Sequence, residues 1–170
     1  MFQDLKKHSF IFVIGPQRSR TTIAAKMVSH DTGYQYVDES EVGTDLFNVY
    51  KLVEKQTPFV VQCPTLTCYA LQLAKIPGAF LVFMQRSREE ILASQERIDW
   101  TRRYEKKELY FYGLSSGCIS DVKKQVWDIH KNRIRNWVEI DASEKSTPLK
   151  DHPLWESDRT GFRPKQTERA

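Results

Sequence analysis

The chain has 170 residues, 40% of them hydrophobic and 28% charged, which excludes disordered and fibrous classes and suits one domain with a hydrophobic core. Lysine and arginine number 26 against 22 acidic residues, and no dense basic block carries the excess, so we expect no nucleic-acid partner. No apolar run approaches the roughly 20 residues that a membrane span requires, so we expect no membrane partner.

Short apolar runs alternate with helical patterns along the chain. The predicted strands are 9–14, 34–37, 59–62, 79–84 and 137–140. The predicted helices are 21–29, 45–55, 66–75, 87–97 and 120–135. Strands separated by helices indicate a parallel sheet with right-handed crossovers, which is a three-layer α/β/α fold. We therefore predict a single α/β domain over residues 1–155, followed by a polar tail over 156–170.

Three details of these helices can be predicted from the residue types. Thr44 is a suitable N-cap for the second helix, and Ser87 with Glu90 three residues later has the pattern of a capping box. On the last helix, an apolar face is expected to point inward. Its predicted members are Val122, Val126, Ile129 and Ile134. The aromatic and basic segment 100–112 fits either a helix or an ordered loop.

The cysteines and the N-terminus bear on the cellular compartment, and the histidines bear on metal binding. The three cysteines, an odd number without metal-ligand spacing, are Cys63, Cys68 and Cys118. They fit free thiols in a reducing compartment, and residues 1–8 do not resemble a secretory signal, so we expect a cytoplasmic protein. The four histidines are His8, His30, His130 and His152. None has another ligand at metal spacing, so we predict no metal site.

The first strand leads into Gly15, and the following helix begins with Thr21 and Thr22. A strand, a glycine turn and a helix in this order point backbone N–H groups and the positive helix end at one spot, which is how phosphate is bound. In the P-loop pattern G-x-x-x-x-G-K-[ST], Gly15 and Thr22 fit the first and last positions. Arg20 replaces the second glycine and Thr21 the lysine, while Arg18 places a different cation inside the loop.

Residues 17–22, with the sequence Gln-Arg-Ser-Arg-Thr-Thr, resemble the 5′-phosphosulfate loop of the sulfotransferase family, P-[KR]-S-G-T-T. Gln17 replaces the usual proline, and Arg20 stands where a glycine would allow a positive φ. The resemblance implies a P-loop nucleoside triphosphate hydrolase-like fold of the sulfotransferase type. It also implies 3′-phosphoadenosine 5′-phosphosulfate as donor substrate, without a metal. The residues that it assigns to the donor are Gly15, Gln17, Arg18, Ser19, Arg20, Thr21 and Thr22.

A second element of the resemblance follows the fourth strand. Sulfotransferases carry an arginine at this strand end and a serine eight residues later, which together hold the 3′-phosphate; here these are Arg86 and Ser94. These residue types suit a phosphate, because an arginine fork binds it in bidentate fashion and a serine adds a neutral hydrogen-bond donor. The alternative is that Arg86 forms a surface ion pair with Glu89 or Glu90.

A third element follows the second strand, where residues 37–40 are similar to tyrosylprotein sulfotransferases. The glutamate at this position is the general base there, so the resemblance implies Glu39 as catalytic base and Arg18 as the catalytic cation. An ordinary solvated carboxylate is the alternative for Glu39. Cytosolic members carry a histidine base at the end of the third strand, where this chain has Gln62 and Cys63.

The resemblance, over residues 9–97, implies a small sulfotransferase that moves a sulfuryl group to a hydroxyl-bearing acceptor of unknown identity. A nucleotide or small-molecule kinase is one alternative, although a Walker lysine and a clear magnesium-binding aspartate are missing. A non-catalytic phosphonucleotide-binding domain is the other. The remaining chain is short for an acceptor pocket. We therefore expect a site that is open, one that is completed by a second subunit of a homodimer, or one that has lost the reaction.

Overall fold

The computed structural model describes residues 1–43, 45–97 and 127–156. The predictions for Thr44, Cys118 and the segment 100–112 lie outside these residues. So do those for Val122, Val126 and residues 157–170 of the tail. Among the described residues, no helix has the length and apolar character needed to cross a bilayer.

The described strands form one five-stranded parallel sheet in the order β2-β3-β1-β4-β5. Their bounds are β1 Phe10–Ile14, β2 Gln35–Val37, β3 Phe59–Gln62, β4 Ala79–Gln85 and β5 Trp137–Asp141. β1 is central and buried along its whole length, as expected of a parallel strand covered on both faces. The predicted α/β fold with a parallel sheet is confirmed.

Five helices whose bounds lie wholly within the described residues connect or follow the first four strands. Their bounds are α1 Thr21–Thr32, α2 Glu39–Val42, α3 Leu46–Glu54, α4 Ala70–Ala74 and α5 Arg88–Arg97. Short 3₁₀ turns lie at Gln3–Lys7, Pro64–Tyr69, Lys131–Arg133 and Pro148–Asp151. The predicted helix 66–75 is thus divided into a 3₁₀ turn, which Pro64 opens with its fixed φ, and the short α4.

The helix caps differ in part from the sequence predictions. Asp45 caps α3, because its carboxylate accepts a hydrogen bond from the Phe47 N–H at 2.8 Å. Ser87 caps α5 as predicted, with its Oγ accepting from the Glu90 N–H at 3.3 Å. The Glu90 side chain does not complete a capping box there; it bonds to Arg86 instead, at 2.6 Å.

Both faces of the sheet are covered by hydrophobic residues. On one face, Trp127 is fully buried and stacks on Phe83 of β4, with the ring centroids 4.3 Å apart. Ile134 is buried as predicted, but Ile129 is 64% exposed, so its predicted inward position is wrong. Residues two apart on a helix face nearly opposite sides, and Trp127 takes the inward position. The core thus fixes β1 and β4, whose ends carry the site.

Candidate functional site

The loop after β1 starts at a position that admits only glycine. Gly15 has a φ of 133°, and a Cβ there would lie 2.4 Å from the backbone carbonyl oxygen of Met84 on β4. The Gly15 N–H donates to the Thr67 Oγ1 at 2.8 Å. The start of the loop is therefore held between β4 and the 3₁₀ turn that follows β3.

The loop itself is a tight turn with two left-handed residues. Arg18 and Arg20 have φ values of 66° and 65°, so Arg20 adopts the positive φ that a glycine would allow at this position. Between them, Ser19 donates from its N–H to the Pro16 carbonyl at 3.2 Å and also bonds to that oxygen through its hydroxyl. Left-handed residues other than glycine are strained and concentrate at ligand sites. The positive N-terminal end of α1 follows directly on the loop, and no described side chain caps it.

The Arg18 side chain lies among other cations. Its Nε donates to the Ser94 Oγ at 2.9 Å, and Arg97 Nη2 donates to the same oxygen at 3.3 Å. Burial lowers the pKa of Arg18, and the positive charges of Arg97 and Arg86 lower it further. No carboxylate among the described residues forms an ion pair with Arg18. An anion placed here would relieve the repulsion between these guanidinium groups.

Arg86 braces the loop from the end of β4. Its Nη1 donates to the Arg18 carbonyl oxygen at 2.9 Å, and its Nε donates to Glu90 at 2.6 Å. Burial raises the pKa of Glu90, but the hydrogen bonds from Arg86 and from the Glu144 N–H outweigh burial and lower it overall. The alternative of an Arg86–Glu90 ion pair is therefore present in the structure, together with a direct contact to the loop.

The Arg20 side chain contacts the part of the chain that follows β5. Its Nη1 donates to the Ala142 carbonyl oxygen at 2.7 Å, and its Nη2 forms an ion pair with Glu144. The guanidinium carbon also lies 4.8 Å from the centre of the Trp155 ring. Its side chain thus links the loop to the segment after β5. The predicted role of Arg20 in donor binding can involve its backbone, and it stays a prediction.

Of the other predicted site residues, some lie in or next to the loop and Glu39 lies elsewhere on the sheet. Gln17 is buried in the loop, and Thr21 and Thr22 form the first turn of α1. The Thr21 Oγ1 accepts a hydrogen bond from the Gln62 Nε2 at 3.1 Å. Glu39 is exposed at the start of α2, after β2, and β3 separates that strand from β1. Its role as a base stays a prediction.

Two residues near the loop were missed by the sequence analysis. Arg97 lies three residues after Ser94, so that both point from one face of α5, and this spacing could have identified it. Gln62 was noted where other proteins have a histidine, but its contact with Thr21 depends on the packing of β3 beside β1.

The structure also brings His152 together with two adjacent potential metal ligands, His30 and Asp31, the nearer of which lies 121 residues earlier in the chain. Asp31 Oδ1 lies 3.1 Å from both His30 Nδ1 and His152 Nε2, and Asp31 Oδ2 accepts from the Phe2 N–H at 2.7 Å. The Leu154 N–H donates to His152 Nδ1, so the neutral ring carries its proton on Nε2 and donates it to Asp31. A metal would need that nitrogen as a free lone pair, so this geometry suits a structural link between α1 and the later chain.

No protein-family description and no curated protein matches the chain. Among solved structures, a gluconokinase from Sinorhizobium meliloti 1021 is 17% identical and covers 86% of this chain and 87% of its own, with a TM-score of 0.49. A sugar kinase from Janibacter sp. HTCC2649 is 10% identical over 90% and 93%, with a TM-score of 0.46. The YorR protein in complex with phosphorylated GDP from Bacillus subtilis is 13% identical over 78% and 85%, with a TM-score of 0.44.

Two of these three proteins are kinases by name. Likenesses of this size carry no argument about activity. The parallel sheet and the loop between β1 and α1 together define an α/β domain of the P-loop type.

Proposed function

We propose that this chain is a P-loop-type transferase that binds a phosphorylated nucleotide donor between the loop Gly15–Thr22 and α5. The observation that carries the proposal is the 2.9 Å hydrogen bond between Arg18 Nε and Ser94 Oγ. It joins two residues 76 positions apart in the chain, and the sulfotransferase resemblance assigns both to an anionic donor. Arg97 adds a second guanidinium at the same serine.

The electrostatics of this cluster favour a phosphate group as ligand. Arg18, Arg86 and Arg97 are close enough for the two others to lower the pKa of Arg18. Among the described residues, Glu90 is the carboxylate that pairs with this group, and it pairs with Arg86. A phosphate dianion would accept charge-assisted hydrogen bonds, each contributing about 1.5–3 kcal/mol.

Sulfuryl transfer from 3′-phosphoadenosine 5′-phosphosulfate is the first candidate reaction. Ser94 and Arg86 would bind the 3′-phosphate, Ser19, Thr21 and Thr22 would hold the 5′-phosphate, and Arg18 would neutralise charge on the oxygens around sulfur. The acceptor oxygen bonds to sulfur while the bond from sulfur to the bridging oxygen breaks, and its electron pair leaves with adenosine 3′,5′-bisphosphate. Glu39 would take the acceptor proton.

Phosphoryl transfer from ATP is the second candidate. Gly15 and Thr22 keep the first and last positions of the P-loop pattern, and a kinase is the class named for two of the similar solved structures. Thr21 replaces the lysine of that pattern, however, and its hydroxyl is bonded to Gln62. Arg18 would have to supply the missing positive charge.

Calorimetric titrations of the full chain separate these candidates. We expect adenosine 3′,5′-bisphosphate to bind at least about tenfold more tightly than adenosine 5′-monophosphate, because the extra phosphate gains at least one charge-assisted hydrogen bond. Equal or tighter binding of ATP with Mg²⁺ would replace sulfuryl transfer by phosphoryl transfer. Tight bisphosphate binding without transfer of ³⁵S-labelled sulfuryl to any of a panel of phenols, sugars and alcohols would identify a non-catalytic binding domain.

A further inference from the structure

Gln62 occupies the end of β3 beside the loop. It pairs in register with Val13 of β1, and ligands of open parallel sheets bind at the carboxyl ends of the strands. The residue is 3% exposed, so its amide is almost completely removed from water. A polar side chain in this position is expected to have all its hydrogen-bonding atoms satisfied.

One half of this amide is paired and the other is not. The Gln62 Nε2 donates to the Thr21 Oγ1 at 3.1 Å. Its Oε1 is buried and has no hydrogen-bond partner among the described residues. A buried carbonyl oxygen without a partner has lost its hydrogen bonds to water and has gained none in exchange. Native proteins therefore rarely keep such an oxygen unless a ligand donates the missing hydrogen bond.

We propose that Gln62 Oε1 accepts a hydrogen bond from the hydroxyl group of the acceptor substrate. This inference rests on the proposed function, because it places the acceptor next to the donor loop. Sulfuryl and phosphoryl transfer both require an acceptor oxygen in line with the transferred group, so it applies to either donor. An amide does not take up a proton at neutral pH; Gln62 therefore orients the hydroxyl, and another group takes its proton.

The same amide also determines what Thr21 can do. Because Gln62 Nε2 donates to Thr21 Oγ1, the Thr21 hydroxyl proton is directed to a different acceptor. In the proposed complex, that acceptor is an oxygen of the donor phosphate. Gln62 thus contacts the acceptor through Oε1 and orients a donor-binding hydroxyl through Nε2.

The experiment compares phenol with anisole as probes, because anisole has the same ring but no hydroxyl proton to donate. Full-length protein is saturated with adenosine 3′,5′-bisphosphate or ADP, whichever binds more tightly, and the Gln62 side-chain amide is observed by NMR. We expect phenol to shift these signals and to bind about fivefold more tightly than anisole, the range of one neutral hydrogen bond. No shift with phenol, or equal responses to the two probes, would overturn the inference.

Two variants complete this test. Gln62→Met keeps the side-chain length without polar atoms, and Gln35→Met makes the same change at an exposed position on β2. With each variant saturated with the nucleotide, we expect Gln62→Met to abolish the preference for phenol, and Gln35→Met to retain it. A phenol preference that survives in Gln62→Met would overturn the inference. Failure of both nucleotides to bind would refute the proposed function instead.

Discussion

Arg18 and Arg20 lie two residues apart in one loop and share the same left-handed backbone conformation, yet their side chains have opposite surroundings. Arg18 contacts a serine hydroxyl and lies near two further guanidinium groups. Arg20 has an ion pair with Glu144, a carbonyl acceptor and an aromatic ring. The difference separates a cation that the proposed function pairs with a ligand from one whose partners belong to the fold. Charge and backbone angle alone do not make that distinction.

Gly15 begins the loop that carries both arginines. We expect Gly15→Ala to lower the free energy of unfolding by more than about 3 kcal/mol, because the added Cβ would meet a backbone oxygen at 2.4 Å. Urea unfolding followed by circular dichroism measures this loss. Gly33→Ala is the matched control: it also has a positive φ, but nothing lies within 4 Å of the added Cβ, so we expect a loss of about 1 kcal/mol. Equal losses in the two variants would contradict the steric argument.

Arg18→Ala tests whether the Arg18 side chain binds the ligand. We expect the affinity for adenosine 3′,5′-bisphosphate to fall about 10- to 100-fold, the range of one charge-assisted hydrogen bond, with little change in stability. Calorimetry measures the affinity and urea unfolding the stability. Arg135→Ala removes the same charge from an exposed position and serves as control. Unchanged affinity in Arg18→Ala would remove this residue from the site.

Arg20→Ala is expected to give the reverse result. Loss of the bond to the Ala142 carbonyl oxygen and of the ion pair with Glu144 should cost about 1–3 kcal/mol of unfolding free energy. Nucleotide affinity should stay within about threefold, the scatter that an indirect effect allows. The same urea and calorimetry series measures both quantities. A large loss of affinity at unchanged stability would mean that Arg20, too, binds the ligand.

The smallest expected effect concerns Glu90, which bonds to Arg86 and to the Glu144 N–H. Its pKa is lowered in the folded protein, so its stabilising contribution is complete above the unfolded value, about 4.3, and is lost as the pH falls through the folded value. We expect Glu90→Gln to be less stable than the parent chain by about 1 kcal/mol at pH 7. The difference should shrink as urea unfolding is repeated toward pH 3. A difference independent of pH would exclude this carboxylate as its source.

The sheet could be predicted from the sequence because buried parallel strands are continuous apolar runs. β3 was predicted with its observed bounds, and β4 extends by one residue to Gln85. The single-turn helix α2 was missed, since four residues carry no helical periodicity. Its capping box, formed by Asp38 and Glu41, was the available signal.

The candidate site could be predicted only where the contacts follow the chain. The strand, glycine turn and helix identified the loop, and the sulfotransferase resemblance pointed to Arg86 and Ser94 at the end of β4 and on α5. The partners of Arg20 could not be predicted, because Glu144 lies 124 residues further along the chain and reaches it only through the order of the strands. The same reason hid the contact between Gln62 and Thr21, which are 41 residues apart.

Helix α1 is fastened at both ends by the final part of the domain. Arg20, just before its first residue, bonds to Ala142, and Asp31, near its last, bonds to His152. These bonds span 122 and 121 residues, so they form only after almost the whole described chain exists. Contacts of such sequence separation form late in folding. The loop between β1 and α1 is therefore encoded early in the chain but is held in place by residues that follow β5.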